Sequence, residues 1–323
     1  MFKTILGAAA ALTLGVSSAF AQTFPDRSIN MMVAFPAGGS TDIGARIVSS
    51  IAEKLIGQPI VVVNKGGAGG QVGWTDLVRQ KPDGYNIGFV NLPATNTAYL
   101  DPKRQAIFNE KSFTPIINQV LDPGVVWVAA SSPYKSLKDI VDAAKAKPGT
   151  VRAATTGILS DDHLAILMLE EAAPGVKFRI VHLLGGAAQM KETLGGNVDV
   201  SFDNVGSIVK QVKGGQVRAL AVMDTERSKF LPDVPTTKEA GFPTVISSST
   251  RGIAGPKGMK PEVVAKLADV FEKAMKDPEH QKKMDEVGLA VKIMKGDEYK
   301  KYFEDTHLKA KKYVEWAQKR SEK

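Results

Sequence analysis

Short β-branched runs alternate with amphipathic helical patterns along most of this chain, and that alternation limits the fold more than any other feature. Ile29 to Phe35 reads as a strand, and Thr41 to Leu55 as a helix with Ile43, Ile47, Ile51 and Leu55 on one face. Ile60 to Asn64 is a second strand, followed by a Gly-rich turn, a helix through Leu77 and a third strand from Tyr85 to Val90. That β-α-β-α-β order implies a parallel sheet covered by helices. A second unit starts at Val125 to Ala129. It continues through a helix at Leu137 to Ala146, a strand at Val151 to Ala154, a helix at His163 to Glu171 and a strand at Phe178 to Val181. Met190 to Leu194 is a short helix, Val198 to Phe202 a strand, Ser207 to Val212 a helix and Arg218 to Met223 a strand. Two α/β lobes are predicted. A polar stretch from Arg227 to Pro243 follows, of the kind that wraps a surface or links lobes. Pro261 opens a helix whose stripe is Val264, Leu267, Phe271 and Met275.

The start of the chain reads as a separate signal. Lys3 gives a basic start, Ile5 to Val16 an apolar run, and Ala19-Phe20-Ala21 a small-x-small cleavage pattern, so the mature chain is expected to begin near Gln22. No later stretch reaches the roughly 18 apolar residues a membrane span needs. An exported, periplasmic protein is expected. Cysteine is absent from the 323 residues, which removes disulfides, thiolate metal sites and cysteine nucleophiles. His163, His182, His280 and His307 have no helical spacing that pairs them, and HExxH is missing, so no metal site is expected.

Charge narrows the partner. There are 42 Lys and Arg against 34 Asp and Glu, a net +8, and removing Lys3 with the signal leaves +7. Between Lys295 and Lys323 the two signs interleave, while Tyr299, Phe303, Thr306, Ala310, Tyr313 and Ala317 recur every three or four residues. That is a packed amphipathic helix with a solvated basic face rather than a nucleic-acid patch.

Chemistry is expected where strand ends meet glycine turns. Phe35-Pro36-Ala37-Gly38-Gly39-Ser40-Thr41-Asp42 leaves a strand and opens a helix, so free N–H groups at the helix start favour an anion. Ser40, Thr41 or Asp42 equally suit helix capping. Thr155-Thr156-Gly157-Ile158-Leu159-Ser160-Asp161-Asp162-His163 repeats the design, and the two loops facing one cleft would make a two-sided carboxylate clamp. Adjacent Asp161, Asp162 and His163 splay apart on a helix, which favours capping and a packed histidine over acid–base chemistry. Gly66 to Gly73 fails the dinucleotide pattern because Val72 stands where a glycine is needed, and it follows the second strand. A tight turn with close packing explains its glycines. No GxxxxGK[ST] or GxSxG motif occurs, and no nucleophile or acid–base pair is motivated, so an enzyme is not expected.

The runs Ile29 to Asp42, Gly57 to Gly70 and Lys81-Pro82-Asp83-Gly84-Tyr85 closely resemble the Bug family, the substrate-binding proteins of tripartite tricarboxylate transporters. So do Ala144 to Gly149, Asp162-His163-Leu164-Ala165, Leu194 to Asp199, Arg218 to Val222 and Leu231 to Thr236. The resemblance implies a two-lobed periplasmic-binding-protein architecture, a type II-like Venus flytrap. Its lobes would close on a small organic carboxylate and deliver it to the membrane subunits of the transporter, with no cofactor, no nucleic acid and a monomeric receptor. A ligand-sensing partner of a membrane kinase is the alternative. The first lobe is expected over 22–121, the second over 122–223, and a return to the first with the C-terminal helix over 224–323. The linking strands fall near Gln119 to Gly124 and Met223 to Arg227. The candidate ligand-binding set is Ala37, Gly38, Gly39, Ser40, Thr41 and Asp42 on the first loop, Thr155, Thr156, Gly157, Ser160 and His163 on the second, with Asn91, Asp203 and Arg251. Two runs depart from the family: Val181-His182-Leu183-Leu184-Gly185, and Thr250-Arg251-Gly252 where many members carry an aromatic. Arg251 is therefore expected to pair with a distal acidic group of the ligand.

Overall fold

The computed structural model describes residues 24–321; the expected signal peptide, 1–21, lies outside the described residues. β1 (Ile29–Val33) leads through α1 (Ser40–Ile56) to β2 (Ile60–Asn64), α2 (Gln71–Val78), β3 (Asn86–Leu92) and α3 (Ala94–Leu100). A long strand, β4 (Phe113–Ala129), precedes α4 (Leu137–Ala146), β5 (Arg152–Thr155), α5 (Asp161–Ala172), β6 (Arg179–His182) and α6 (Gly186–Leu194). Then come β7 (Val200–Asn204), α7 (Val205–Lys213), β8 (Val217–Val222), β9 (Ser248–Pro256), α8 (Pro261–Lys276), α9 (Pro278–Glu286), β10 (Val291–Lys295) and α10 (Gly296–Ser321).

The first expected β-α-β unit forms a parallel patch, β1 between β2 and β3. In the second, β5 lies parallel between β6 and β7, but the expected opening strand, Val125 to Ala129 in β4, and β8 pair antiparallel. The patches join through antiparallel pairs β3–β9, β9–β4 and β4–β7, giving one mixed α/β sheet in the order β2-β1-β3-β9-β4-β7-β5-β6. β4 carries the join. Its 17 residues pair with β9 and β10 at the start, and with β7 and β8 from Gly124 onward. Ile116 and Ile117 pack in the core of the first half with Ile29, Met31, Ile87 and Phe271, whereas Val126 and Val128 pack in the second with Leu169, Val200 and Phe202. Pro115, Asp122, Pro123 and Gly124 interrupt the β-branched pattern, and periodicity alone therefore finds only its last five residues.

The polar stretch after β8 does not begin the return to the first half at 224. Val222 N–H donates to Pro235 O at 2.9 Å, Thr237 N–H to Val222 O at 2.8 Å and Ser247 N–H to Met223 O at 3.1 Å. Leu231 and Val245 are buried in clusters with β7 and β8 residues. These ties hold 224–247 on the second half, and the chain crosses back in β9.

Two helices show how pattern and packing differ. In α1 the buried face is Ala45, Val48, Ile51 and Ala52, with Leu55 half exposed, so the Ile43–Ile47–Ile51–Leu55 stripe is rotated from its expected position. Small Ala45 and Ala52 let the helix approach the sheet closely, and the larger residues flank the contact. In α10 the expected stripe holds: Tyr299, Phe303, Ala310 and Tyr313 are buried. Phe303 packs with Trp74 and Phe113 of the first half, and Tyr313 and Val314 with Leu169 of the second, so this helix also straddles the join.

Candidate functional site

Asp42 and Asp162 build two matching loops. On the first, Gly38 adopts a left-handed φ of 83°, and its N–H donates to Asp42 Oδ2 at 2.9 Å. Asp42 also accepts from Arg46 Nε at 3.1 Å and Asn64 Nδ2 at 2.9 Å. Burial alone would raise its pKa, but the bonds from Arg46, Gly38 and Asn64 win and hold the carboxyl below its ordinary range. On the second loop, Thr156 N–H donates to Asp162 Oδ2 at 3.0 Å, and Ser160 Oγ caps α5 by accepting from His163 N–H at 3.2 Å. Burial, with Asp161 and Asp203 nearby, pushes Asp162 well above the usual carboxylate range. Both carboxyls turn back to brace their own loop.

The loops open onto one cleft of about 820 Å³ between the two halves of the sheet. Gly39, Ser40, Thr41, Asn91, Thr156, Gly157, Ser160, Asp203 and Arg251 line it. Ala37, Gly38, Asp42, Thr155 and His163 do not. Thr155 Oγ1 lies 2.8 Å from His182 Nδ1, and His163 Nδ1 accepts from Leu159 N–H at 3.0 Å with its ring packed edge-on to His182, so these two hold the loop from behind.

Periodicity missed several lining residues. The starts of α6 (Gly185, Gly186, Ala187) and α7 (Asn204, Ser207) face the cleft beside those of α1 and α5, so four helices of nine or more residues direct N-terminal N–H groups toward it. Gly67, Gly69 and Gly70 line it too. Gly70 and Gly73 also meet the close-packing expectation: an added Cβ would lie 2.5 Å from Trp74 and 2.8 Å from Ala34 Cα. Arg104 has no sequence signal beyond its type. Its Nη2 donates across the mouth to Ile158 O at 2.9 Å, and its nearest acid, Asp101, is 3.7 Å away.

Arg251 lines the cleft floor but is not a free cation. Its Nη1 lies 3.0 Å from Asp122 Oδ2, with both side chains almost fully buried, and Asp122 Oδ1 accepts from Gly206 N–H of α7 at 3.0 Å. Burial raises Asp122 despite the guanidinium. Asp161 accepts from Asn204 Nδ2 at 2.8 Å, and burial pushes Asp203 up to about 7. Among the described residues no group of His, Asp or Glu is arranged to hold a metal ion.

A mixed sheet with a long shared strand, and a cleft rimmed by glycine loops and helix starts, define the periplasmic solute-binding proteins, and the solved structures this chain resembles are of that class. The BugD periplasmic binding protein is 30% identical, superposes with a TM-score of 0.77, and the match covers 92% of this chain and 98% of that one. MatC from Rhodopseudomonas palustris, solved with bound malate, is 25% identical with a TM-score of 0.79 over 90% of this chain and 100% of its own. By sequence, the UPF0065 protein in gbd 5'region of Cupriavidus necator is 33% identical over 320 residues, 96% of this chain and 94% of that protein. The model of the tripartite tricarboxylate transporter family receptor, TctC, matches residues 44–318. The chain belongs to that family.

Proposed function

We propose that this protein is an exported receptor that captures a small organic carboxylate between two lobes and hands it to the membrane subunits of a tripartite tricarboxylate transporter, without chemical change to the ligand. The observation that carries the reading is the pair of braced loops, one from each half of the sheet, opening on a single cleft together with the helix starts. Backbone N–H groups at helix starts carry partial positive charge and stabilise an anion without a dedicated counter-ion. Arg104 adds a guanidinium at the mouth, where it bonds both to the incoming carboxylate and across the cleft. Gly39, Ser40, Thr41, Thr156, Gly157 and Ser160 contact the ligand; Asp42, Asp162, Thr155 and His163 hold those contacts in place. The first lobe comprises residues up to 121 together with the chain from β9 onward, the second 122–247, and the lobes close about β4 and β9. MatC, solved with bound malate, supports the ligand class.

A thermal-shift screen of the mature chain against dicarboxylates, tricarboxylates, acidic amino acids and aromatic acids tests this. A ligand at about 100 times its Kd stabilises by roughly 2.7 kcal/mol, which raises the melting temperature by several degrees or less for a chain of this size. At least one acid is expected to do so, and no shift with any of the four classes contradicts the reading.

A further inference from the structure

One peptide unit of the second loop is held from both halves of the sheet. Its carbonyl, Ile158 O, accepts from Arg104 Nη2 at 2.9 Å, and its N–H, that of Leu159, donates to His163 Nδ1 at 3.0 Å. His163 lies on α5 of the second half, whereas Arg104 comes from the first, in the turn between α3 and β4. The peptide leads into Leu159 at a left-handed φ of 58°, a conformation that a residue with a side chain keeps only when its surroundings hold it. Arg104 is in turn anchored on its own half: Gln71 Nε2 donates to its carbonyl at 2.9 Å, and Asp101 Oδ2 lies 3.7 Å from its Nε. Arg104, Ile158 and Leu159 all line the cleft, so this bond spans it, away from the strands of the join. The guanidinium is partly buried, with 21% of the side chain exposed, so its bond to the carbonyl is less open to competition from water.

We propose that Arg104 is the latch of the cleft: it bonds the second loop when the halves are closed, and by doing so fixes the 158–159 peptide next to Gly157. His163 belongs to the same half as the loop and travels with it, so Arg104 is the tie that opening breaks. The bond joins protein to protein. It therefore forms without a ligand, favours the closed arrangement in the free chain, and must break before a bound ligand leaves. The fork of an arginine suits the task, because Nε faces Asp101 while Nη2 reaches the carbonyl; one ammonium cannot face both in that geometry. The proposal rests on the reading of two closing lobes given above.

The chain has no cysteine, so spin labels can be placed through Val72→Cys and Leu184→Cys, both exposed, the first beside Gly67 of the cleft wall and the second on the lining of the other half. Pulsed dipolar spectroscopy of the ligand-free mature protein then reads the distance across the mouth, and Arg104→Gln is expected to move its distribution to longer values. Hydrogen exchange on the unlabelled, ligand-free proteins reads the peptide. Exchange over 156–160 is expected to rise threefold or more in Arg104→Gln, with α5 beyond Leu164 and strands β1 and β3 at wild-type rates. Unchanged distances, or unchanged exchange over 156–160, overturn the latch. Faster exchange spread through β1 and β3 also overturns it, since Arg104 would then be a prop of its own half. Arg104→Met keeps the apolar stem and carries the same expectations, so a misfolded Arg104→Gln does not shelter the proposal. None of these measurements uses a ligand: they judge the latch alone, while the thermal-shift screen judges carboxylate capture.

Discussion

Asp203 is a buried carboxyl whose environment penalises its charge, and the sign of its effect on stability follows. Its pKa is pushed up to about 7, against roughly 3.9 in an unfolded chain. Between about pH 4 and pH 7 the folded state therefore keeps a proton that the unfolded state has released, and stability falls as pH rises through that window and then levels off. His280 acts in the opposite sense: burial lowers it to about 4, so its contribution is lost as pH falls from about 6.5 toward 4. Subtracting an Asp203→Asn variant isolates the aspartate. Denaturant unfolding of the two proteins from pH 4 to 8 is expected to show the variant gaining on wild type as pH rises to about 7; a variant that loses ground over that range contradicts a penalised carboxylate. At this scale the sequence was partly legible. Cleft placement of Arg251 was expected from the family resemblance, which puts it where many members carry an aromatic. Its pairing was not, because Asp122 is 129 residues away and only the β4–β9 register brings the two together. Asp42 and Asp162 were legible as helix-start carboxylates, but that each turns inward to its own loop depends on glycine and threonine backbone angles that spacing does not encode.

Elements were easier to read where burial is one-sided. α4 is bounded as expected because Ser136 and Asp139 form a capping box and Leu137, Ile140, Val141 and Ala144 make an unbroken buried stripe. α1 misled because apolar residues occupy more of its circumference than the sheet covers, and the largest of them fall at the edge of the contact. Ile51→Ala is therefore expected to cost about 2 to 5 kcal/mol and Leu55→Ala within about 0.5 kcal/mol of zero. Equal losses measured by denaturant unfolding would restore the face expected from the sequence. α3 escaped detection since Ala94-Thr95-Asn96-Thr97 carries no apolar period; its buried polar side chains bond locally, Thr95 Oγ1 donating to Asn91 O at 2.9 Å and Asn96 Nδ2 to Tyr99 Oη at 2.7 Å. The start of α6 was missed for a like reason, since Gly186-Ala187-Ala188-Gln189 has no large apolar residue, and α7 begins at Val205, two residues before the expected Ser207.

Across the whole molecule, the two β-α-β units and the site between them followed from the alternation of patterns, while the connection did not. β4 crosses from one half to the other through residues that break strand periodicity, and β9 returns beside it. α10 packs on both halves, so a helix expected to belong to the first lobe also covers α5 of the second. In the proposed reading, the opposing loops close on a ligand about β4 and β9. The central claim is that backbone from both halves grips one ligand. Gly39 and Gly186 lie on opposite walls of the cleft, neither has a left-handed φ, and an added Cβ would come no nearer than 3.5 Å to its surroundings, so valine at either fits the fold and obstructs the cleft. The measurement is a calorimetric titration of wild type, Gly39→Val, Gly186→Val and Ser40→Ala with the tightest-binding acid of the screen. The expected result is a loss of tenfold or more, at least about 1.4 kcal/mol, for each valine variant with its melting temperature little changed, and a smaller loss for Ser40→Ala. Wild-type affinity in either valine variant would contradict capture between the two walls.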